Sequence, residues 1–414
     1  MASALVLLTT SPSISLNYPP LPRSLTPSPS LFSTNLSTRT LSHTNTSYRF
    51  QYQKPFLSFL KASSHGVTAE IFNQENKEVV EEAEQEEQEE KEEEEISRAM
   101  LIWRAIKLPI YSVAFIPLTV GSAAAYLQTG LFHTRRYLVL LLSSVLIITW
   151  LNLSNDVYDF ETGADKEKKE SVVKLIGSPA VTLYAANTFL VLGFIGLLWA
   201  SVEAGDMRSI CLLTGAILCG YVYQCPPFRL SYLGLGEPLC LAAFGPFATP
   251  AFYLSQSSKS DMCTLPLTST ILSASLLVGM TTSLILFCSH FHQLETAQVD
   301  GDRAVGKMSP LVRMGTQKGS VVVKVAIMTI YFLLFAFSLS KALPLTCTFF
   351  CALTLPMGKV VADFVEEYHG DKIKIFMAKY YCVRLHSLFG VALAAGLLTA
   401  RYYQMYILSK GNDY

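Results

Sequence analysis

Residues 137–165 read YLVLLLSSVLIITWLNLSNDVYDFETGAD, an apolar run followed directly by a cluster of polar and acidic side chains. The run 137–151 is apolar enough to enter a bilayer, where a helix needs about 20 residues to cross the hydrocarbon core. The next stretch, 152–165, holds two asparagines, three aspartates and one glutamate. An aspartate at the centre of a membrane helix costs about 2.5–3.5 kcal/mol on insertion scales. The cluster therefore belongs at a helix end or beside a wet cavity, where ionisable groups indicate a functional site.

The composition of the whole chain is that of a membrane protein. Its 414 residues are 51% hydrophobic and 15% charged, whereas soluble proteins carry about 25% charged residues. The formal net charge is zero, but the acids are concentrated in 70–95, so the remaining chain is net basic. Its cations lie in short loops. This placement argues against a nucleic-acid partner and favours a membrane surface or an anionic small substrate.

The N-terminal segment has the composition of an organelle-targeting peptide. Residues 1–69 contain no Asp or Glu and are rich in Ser, Thr and Pro, a pattern typical of transit peptides. We therefore expect a disordered plastid transit peptide over 1–62, with an ordinary disordered tail as the alternative. The acidic stretch 63–97 cannot bury a core and is expected to be a disordered linker. A membrane domain over 98–414 follows.

Apolar segments within that domain predict an all-α, polytopic fold with nine transmembrane helices. The segments are 102–128, 136–157, 179–202, 207–225, 237–255, 267–291, 319–340, 342–363 and 382–408. Loops after the second, fourth, sixth and eighth segments are the richer in Lys and Arg. The positive-inside rule then places these loops and the N-terminus on one face, which in a plastid is the stromal face.

The first polar cluster falls on one stripe of a helix. Positions i, i+3, i+4 and i+7 share a face, and here they are Asn152, Asn155, Asp156 and Asp159. Gly163 frees the backbone to bring Asp165 round. Oxygen ligands without His or Cys suit Mg²⁺, which is usually bound by a few carboxylates together with substrate phosphates. The alternative is a solvated helix end capped by Asp and Asn.

A second charged cluster lies in HFHQLETAQVDGDRAVGKMSPLVRMG (290–315). If the sixth segment continues as a helix, Glu295, Gln298 and Asp302 share a stripe, and Arg303 and Lys307 follow closely. Carboxylates that hold Mg²⁺ beside cations that hold phosphate oxygens form a clamp for a diphosphate. The alternative is a basic juxtamembrane loop that serves topology alone.

A third stretch, YVYQCPPFRLSYLGLGE (221–237), joins the fourth and fifth segments on the same face. Its prolines and glycines predict a shaped loop. Its tyrosines and Arg229 could donate to a leaving diphosphate or form an aromatic wall beside a cation. Tyr223 and Arg229 are therefore candidate substrate-binding residues, as are the basic residues Lys107 and Lys174.

Together these motifs resemble the UbiA-type membrane prenyltransferases. The resemblance rests on Asn155-Asp156-x-x-Asp159 with the later Asp165. The wider strings NLSNDVYDFETGAD followed by KLIG, YQCPPFRLSYLGLGE and DRAVGKMSPLVRMG are similar to the MenA-like branch of that family. The resemblance extends over about residues 100–408. It implies nine helices around a central cavity open to the bilayer, with two acidic motifs facing each other across it.

The resemblance also implies roles for particular residues. The second motif of the family is D-x-x-x-D, whereas this chain has Gln298-x-x-x-Asp302; Glu295, Gln298 and Asp300 all compete for the first position, and the stripe favours the first two. The implied catalytic residues are Asn155, Asp156, Asp159 and Asp302. The implied Mg²⁺ ligands are Asn155, Asp159, Asp165, Glu295 and Asp302. The implied substrate-binding residues are Lys107, Asn152, Lys174, Tyr223, Arg229, Gln298, Arg303 and Lys307.

The MenA-like branch implies an Mg²⁺-dependent enzyme in a chloroplast membrane, thylakoid or inner envelope, with its site toward the stroma. The implied reaction joins a phytyl group from phytyl diphosphate to a naphthoate or naphthoquinone acid, with loss of CO₂ and diphosphate, on the route to phylloquinone. Homogentisate or 4-hydroxybenzoate is an alternative acceptor. A transporter with a cation site is the alternative class, but transporters place such acids near mid-membrane in broken helices.

The second motif generates a test within one segment. If Asp302 holds Mg²⁺ on the diphosphate, Asp302→Asn should lower kcat by roughly 10²-fold or more, at about 1.4 kcal/mol per tenfold. Asp300→Asn is the matched control, because Asp300 lies off the Glu295–Gln298–Asp302 stripe. Equal losses in steady-state kinetics would show that the helix does not continue through this segment.

Overall fold

A computed structural model describes residues 107–163, 171–256, 265–291 and 308–411 of the chain. These residues form helices, which are α1 (Ser112–Thr129), α2 (Thr134–Thr162), α3 (Val172–Ile176), α4 (Pro179–Ala204), α5 (Met207–Gln224), α6 (Gly236–Ala242), α7 (Thr249–Leu254), α8 (Ser269–Ser289), α9 (Pro310–Met314), α10 (Thr316–Leu339), α11 (Leu345–Ala352), α12 (Leu355–Tyr368), α13 (Lys372–Ile375) and α14 (Ala378–Gly411). A 3₁₀ turn, Leu108–Tyr111, precedes α1, and a π-helical turn, Ala243–Ala248, joins α6 to α7.

Several of these helices are long and apolar enough to cross a bilayer, so the chain is an all-helical polytopic membrane protein. Within the described ranges six helices qualify, and the bent pair α11–α12 makes up to seven. The predicted segments 207–225 and 237–255 correspond to α5 and to α6–α7, which do not meet the same criteria. The predicted total of nine spans is therefore not confirmed.

Two predicted segments are interrupted helices, and prolines account for both interruptions. A proline lacks the N–H of a helical hydrogen bond, and its ring clashes with the carbonyl four residues earlier. Pro356 lies four residues after Ala352, where α11 ends, and α12 continues at an angle of 49° to α11. Pro246 lies four residues after Ala242, where α6 gives way to the π-helical turn. The segments 342–363 and 237–255 are thus bent or widened where the sequence analysis predicted plain helices.

Helix α1 lies at the centre of the packed structure. One apolar cluster joins it to α8, α10, α11, α12 and α14, and a second joins it through Leu118 to α2, α4 and α5. Apolar residues all round a helix are typical of complete burial, and here small residues permit a close approach. A Cβ on Gly121 would lie 2.6 Å from the carbonyl oxygen of Thr249 in α7.

This close contact generates a stability prediction. Gly121→Ala should lower the free energy of unfolding by about 1–3 kcal/mol, because overpacking forces α1 and α7 apart. That loss outweighs the roughly 1 kcal/mol that alanine contributes to a helix. The measurement is the thermal midpoint in detergent. Gly370→Ala is the matched control, because a Cβ there meets no atom within 4 Å. Equal midpoints for the two variants would contradict the packing argument.

Candidate active site

The first acidic motif lies on the last turns of α2, which stays helical to Thr162 and ends at Gly163 in the left-handed region (φ 78°). Because residues four apart share a helix face, the Asn155 and Asp159 side chains meet. The Asn155 Nδ2 donates a hydrogen bond to Asp159 Oδ2 at 3.0 Å. The two side chains therefore share a face of α2, as their spacing predicts, and the φ of Gly163 is one that glycine adopts more readily than other residues.

The carboxylate of Asp159 is buried, with 4% of the residue exposed, and donors reach both of its oxygens. The Tyr232 hydroxyl donates to Asp159 Oδ1 at 2.9 Å and lies 3.0 Å from Thr162 Oγ1. These two hydrogen bonds orient the carboxylate, whose two oxygens together offer about four lone-pair sites. Tyr232 is 73 residues away in sequence, so only the fold could single it out among the tyrosines of 221–237.

Asp156 has a different environment from its neighbours on the stripe. It is 1% exposed, and its Oδ2 accepts hydrogen bonds from Ser171 Oγ at 2.8 Å and from the Val172 backbone N–H at 2.6 Å. The carboxylate thus binds the start of α3. Asp156 was predicted to share one surface with Asn155 and Asp159, and its described hydrogen bonds lead to a different element from those of Asp159. Both carboxylates are buried, and buried polar groups are nearly always hydrogen-bonded.

The remaining predicted residues of this face lie around the same end of the bundle. Asn152 is half-buried on α2, one turn before Asp156, and Lys174 is exposed on α3. Tyr223 is half-buried near the end of α5, where its ring lies against Gly236. Lys107 precedes the 3₁₀ turn in a left-handed conformation, with φ 52°.

Arg229 is held over the end of α2 by two aromatic rings. Its guanidinium carbon lies 5.8 Å from the Tyr158 ring centroid and 5.9 Å from that of Tyr232, both within cation–π range. Its backbone has a φ of 42°, a conformation that non-glycine residues rarely adopt, and strain of this kind clusters at ligand clamps. The Nε of Arg229 is buried and makes no hydrogen bond to any residue that the structure describes. A phosphate oxygen would satisfy such a donor.

The loop that carries Tyr232 is also tied to the residues that follow the second motif. The Met308 backbone N–H donates to the Tyr232 carbonyl at 2.8 Å, and Arg313 Nη2 donates to the Leu233 carbonyl at 2.8 Å. Met308 directly follows Lys307 in sequence. These bonds join the residues that follow the second motif to the loop that contacts the first, and they give Arg313 a structural role.

Several predicted site residues lie outside the described ranges: Asp165, Glu295, Gln298, Asp302, Arg303 and Lys307, together with Asp300 and His292. His290, which precedes this gap, is described. Its Nδ1 lies 3.1 Å from Glu237 Oε1, so it joins the end of α8 to the start of α6. The expected placement of the second motif across from the first therefore stays a prediction.

The ligand atoms of the described residues suit a hard divalent cation whose coordination is completed by oxygens from other groups. Within 107–163, 171–256, 265–291 and 308–411, no group of three or more His, Cys, Asp and Glu side chains could hold a metal ion. Asn155 and Asp159 supply an amide and a carboxylate. Mg²⁺ is commonly bound through one or two carboxylates together with substrate phosphates, so this pair fits Mg²⁺ in a shared site and not in a closed protein cage.

Known proteins similar to this chain act on prenyl substrates. Residues 114–403 match the UbiA prenyltransferase family. The chain is 66% identical over 307 residues to the chloroplastic 2-carboxy-1,4-naphthoquinone phytyltransferase of Arabidopsis thaliana, which covers 74% of this chain and 79% of the relative. It is 42% identical over 292 residues to the 2-carboxy-1,4-naphthoquinone phytyltransferase of Synechocystis, with coverage of 70% and 91%. The family match begins within α1 and ends within α14.

Among solved structures, a UbiA homologue from Archaeoglobus fulgidus bound to GPP and Mg²⁺ is 15% identical to this chain. The comparison covers 71% of this chain and 99% of the homologue, with a TM-score of 0.41.

The contact between Tyr232 and Asp159 generates a kinetic prediction. Tyr232→Phe keeps the ring beside Arg229 but removes the donor to Asp159 Oδ1, and a lost hydrogen bond to a charged group costs about 1.5–3 kcal/mol. Prenyl-transfer turnover should therefore fall by roughly tenfold or more. Tyr331→Phe is the matched control, because its hydroxyl bonds Thr354 at the break between α11 and α12. Equal kcat values for both variants would contradict the role assigned to Tyr232.

Proposed function

The chain belongs to the UbiA prenyltransferase family, and we propose that it transfers a phytyl group from phytyl diphosphate to 1,4-dihydroxy-2-naphthoate or its oxidised form, 2-carboxy-1,4-naphthoquinone. CO₂ and diphosphate are the other products, and the prenylated ring is a precursor of phylloquinone. The high identity to the chloroplastic phytyltransferase carries the choice of substrates. The half-buried Asn155 and the buried Asp159, which lie near Arg229, support a diphosphate site at the end of α2.

Mg²⁺ fits the donor set, and the residues that would hold it come from both acidic motifs. The proposed ligands are Asn155, Asp159, Asp165, Glu295 and Asp302. When bound, the ion neutralises charge on the diphosphate and makes it a better leaving group. The described part of this arrangement is the orientation of Asp159 by Asn155 and Tyr232, which would hold the carboxylate ready before the substrate arrives.

Cations of the chain supply the rest of the diphosphate site. The proposed set is Lys107, Lys174, Arg229, Arg303 and Lys307, with Asn152, Tyr223 and Gln298 as further polar contacts to substrate. Arg229 would donate to the phosphate oxygens, since its guanidinium lies near two rings and its Nε has no hydrogen-bond partner in the described part of the chain. A donor that is already oriented stabilises charge as it develops on the leaving group.

The chemistry then requires a dry site. As the allylic C–O bond breaks, its electron pair leaves with the diphosphate, and an allylic cation forms that water would destroy. The helices around the site would exclude water during this step. With 1,4-dihydroxy-2-naphthoate as the acceptor, the electron-rich ring carbon that bears the carboxylate attacks the cation to form the new C–C bond. The carboxylate then departs as CO₂, and the electron pair of its C–C bond restores the aromatic ring.

The proposed setting of this chemistry is a chloroplast membrane, with nine helices around a cavity open to the bilayer and the site facing the stroma. Residues 1–62 would target the protein, and residues 63–97 would link the transit peptide to the membrane domain. This orientation follows from the positive-inside rule, applied to the loops richest in Lys and Arg under the proposed nine-helix topology.

The deciding experiment is an assay of the protein in liposomes with phytyl diphosphate, Mg²⁺ and a panel of aromatic acids. We expect product with 1,4-dihydroxy-2-naphthoate, and none with homogentisate or 4-hydroxybenzoate. EDTA should abolish turnover and added Mg²⁺ should restore it. Product from homogentisate alone would overturn the assigned acceptor, and full turnover in EDTA would overturn the shared Mg²⁺ site.

The role of Asp159 can be tested in the same assay. Asp159→Asn keeps the size of the side chain but removes the charge, so kcat should fall by about 10²-fold or more. Asp363→Asn is the matched control, since Asp363 is exposed on α12. If the two variants have the same kcat, Asp159 does not act on the leaving group.

A further inference from the structure

Two aspartates of one motif, three residues apart on α2, make contacts with different parts of the chain. Asp159 is bonded by Asn155 and Tyr232, whereas Asp156 is bonded by Ser171 and Val172. Both carboxylates are buried. Buried carboxylates are stable only when hydrogen-bonded, so each pair of donors shows which part of the structure its carboxylate holds in place.

The bonds to Asp156 replace a missing helix cap. Ser171 occupies the N-cap position of α3, but its own side chain makes no capping bond there. Its hydroxyl donates to Asp156 instead, and the same Asp156 oxygen accepts the first N–H of α3. An unsatisfied N–H at a helix start is destabilising, and a side-chain acceptor commonly satisfies it. Here that acceptor comes from α2, 16 residues earlier in sequence.

The hydrogen bonds of Asp156 to Ser171 and Val172, called the anchor below, hold a helix that is too short to be stable alone. Helix α3 has five residues, fewer than the roughly 12–15 that an isolated helix needs for stability. Ser171 is fully buried and Val173 is 1% exposed, so this start of α3 packs against the bundle. Lys174, one of the proposed diphosphate-binding cations, follows within the same turn.

We infer that Asp156 is a positioning residue, which fixes α3 to the end of α2 and thereby sets the place of Lys174 at the diphosphate site. The inference rests on the proposed function for its kinetic consequence, but the anchor itself is independent of any substrate. It divides the motif: Asp159 acts on the leaving group through its charge, and Asp156 acts on α3 through its hydrogen-bond acceptors.

The asparagine variant separates these two tasks. Asp156→Asn keeps an oxygen that accepts from both Ser171 and Val172, so it should retain about a third or more of the wild-type kcat, in contrast to the loss expected for Asp159→Asn. Asp156→Ala removes the acceptor. It should raise KM for phytyl diphosphate about tenfold, with a smaller change in kcat. An equal kcat loss in Asp156→Asn and Asp159→Asn would overturn the inference.

A double-mutant cycle tests whether the effect passes through Lys174. Lys174→Ala should raise KM for phytyl diphosphate, and Asp156→Ala in the Lys174→Ala background should raise KM little further, because the positioned cation is already gone. Multiplicative effects of the two substitutions would overturn the connection between Asp156 and Lys174.

Hydrogen–deuterium exchange provides a readout that needs no activity. In Asp156→Ala, amide exchange of the peptide 171–177 should increase about tenfold, because Val172 loses its acceptor. Asp156→Asn should exchange as the wild type does, and a peptide from α8 should not change in any variant. If Asp156→Ala fails to fold, Ser171→Ala tests the other end of the same contact, and we expect it to increase the exchange of this peptide. Unchanged exchange in a folded Asp156→Ala variant would show that Asp156 does not hold α3 in place. Where Ser171→Ala is used instead, unchanged exchange in that variant would show the same. A wild-type protein without phytyl transfer would instead overturn the proposed function.

Discussion

A carboxylate at the end of a membrane helix is stable only if protein groups replace the water that would solvate it. At the end of α2, Asp156 and Asp159 are both buried. Their hydrogen-bond donors include Tyr232, 73 residues from Asp159, and Ser171, 15 residues from Asp156. The chain must therefore return to α2 at two places, and these returns determine the path of the loop 225–235 and the position of α3.

The loop 225–235 then organises the rest of this face. Tyr232 donates to Asp159 through its side chain, and its carbonyl accepts the N–H of Met308. The same loop places Arg229 between two aromatic rings in a strained backbone conformation. Strain of this kind persists only where surrounding contacts enforce it. Asp159 is thus connected through Tyr232 to Arg229 and to the segment that follows the second motif.

The packed helices below this face provide the rigid support that such a site needs. Gly121 brings α1 against α7, and Gly245 lies against Gly279, which joins the π-helical turn to α8. In a bilayer, helices associate through close packing and not through the exclusion of water, so small residues at crossings matter more than apolar ones. Pro246 and Pro356 bend or widen helices where an apolar pattern alone predicts straight spans. These breaks explain why two of the predicted apolar spans are not single straight helices.

Composition, the motif strings and the 3.6-residue repeat are enough to predict the membrane class, the helical fold, the family and the shared helix face of Asn155 and Asp159. They also predict that Gly163 frees the backbone, but its left-handed conformation at the end of α2 is a finding of the structure. The contact of Tyr232 with Asp159 and that of Ser171 with Asp156 became evident only from the tertiary structure. Helical periodicity places side chains on a face, but it does not show which distant segment packs there. That choice depends on long-range contacts, which a local pattern does not encode.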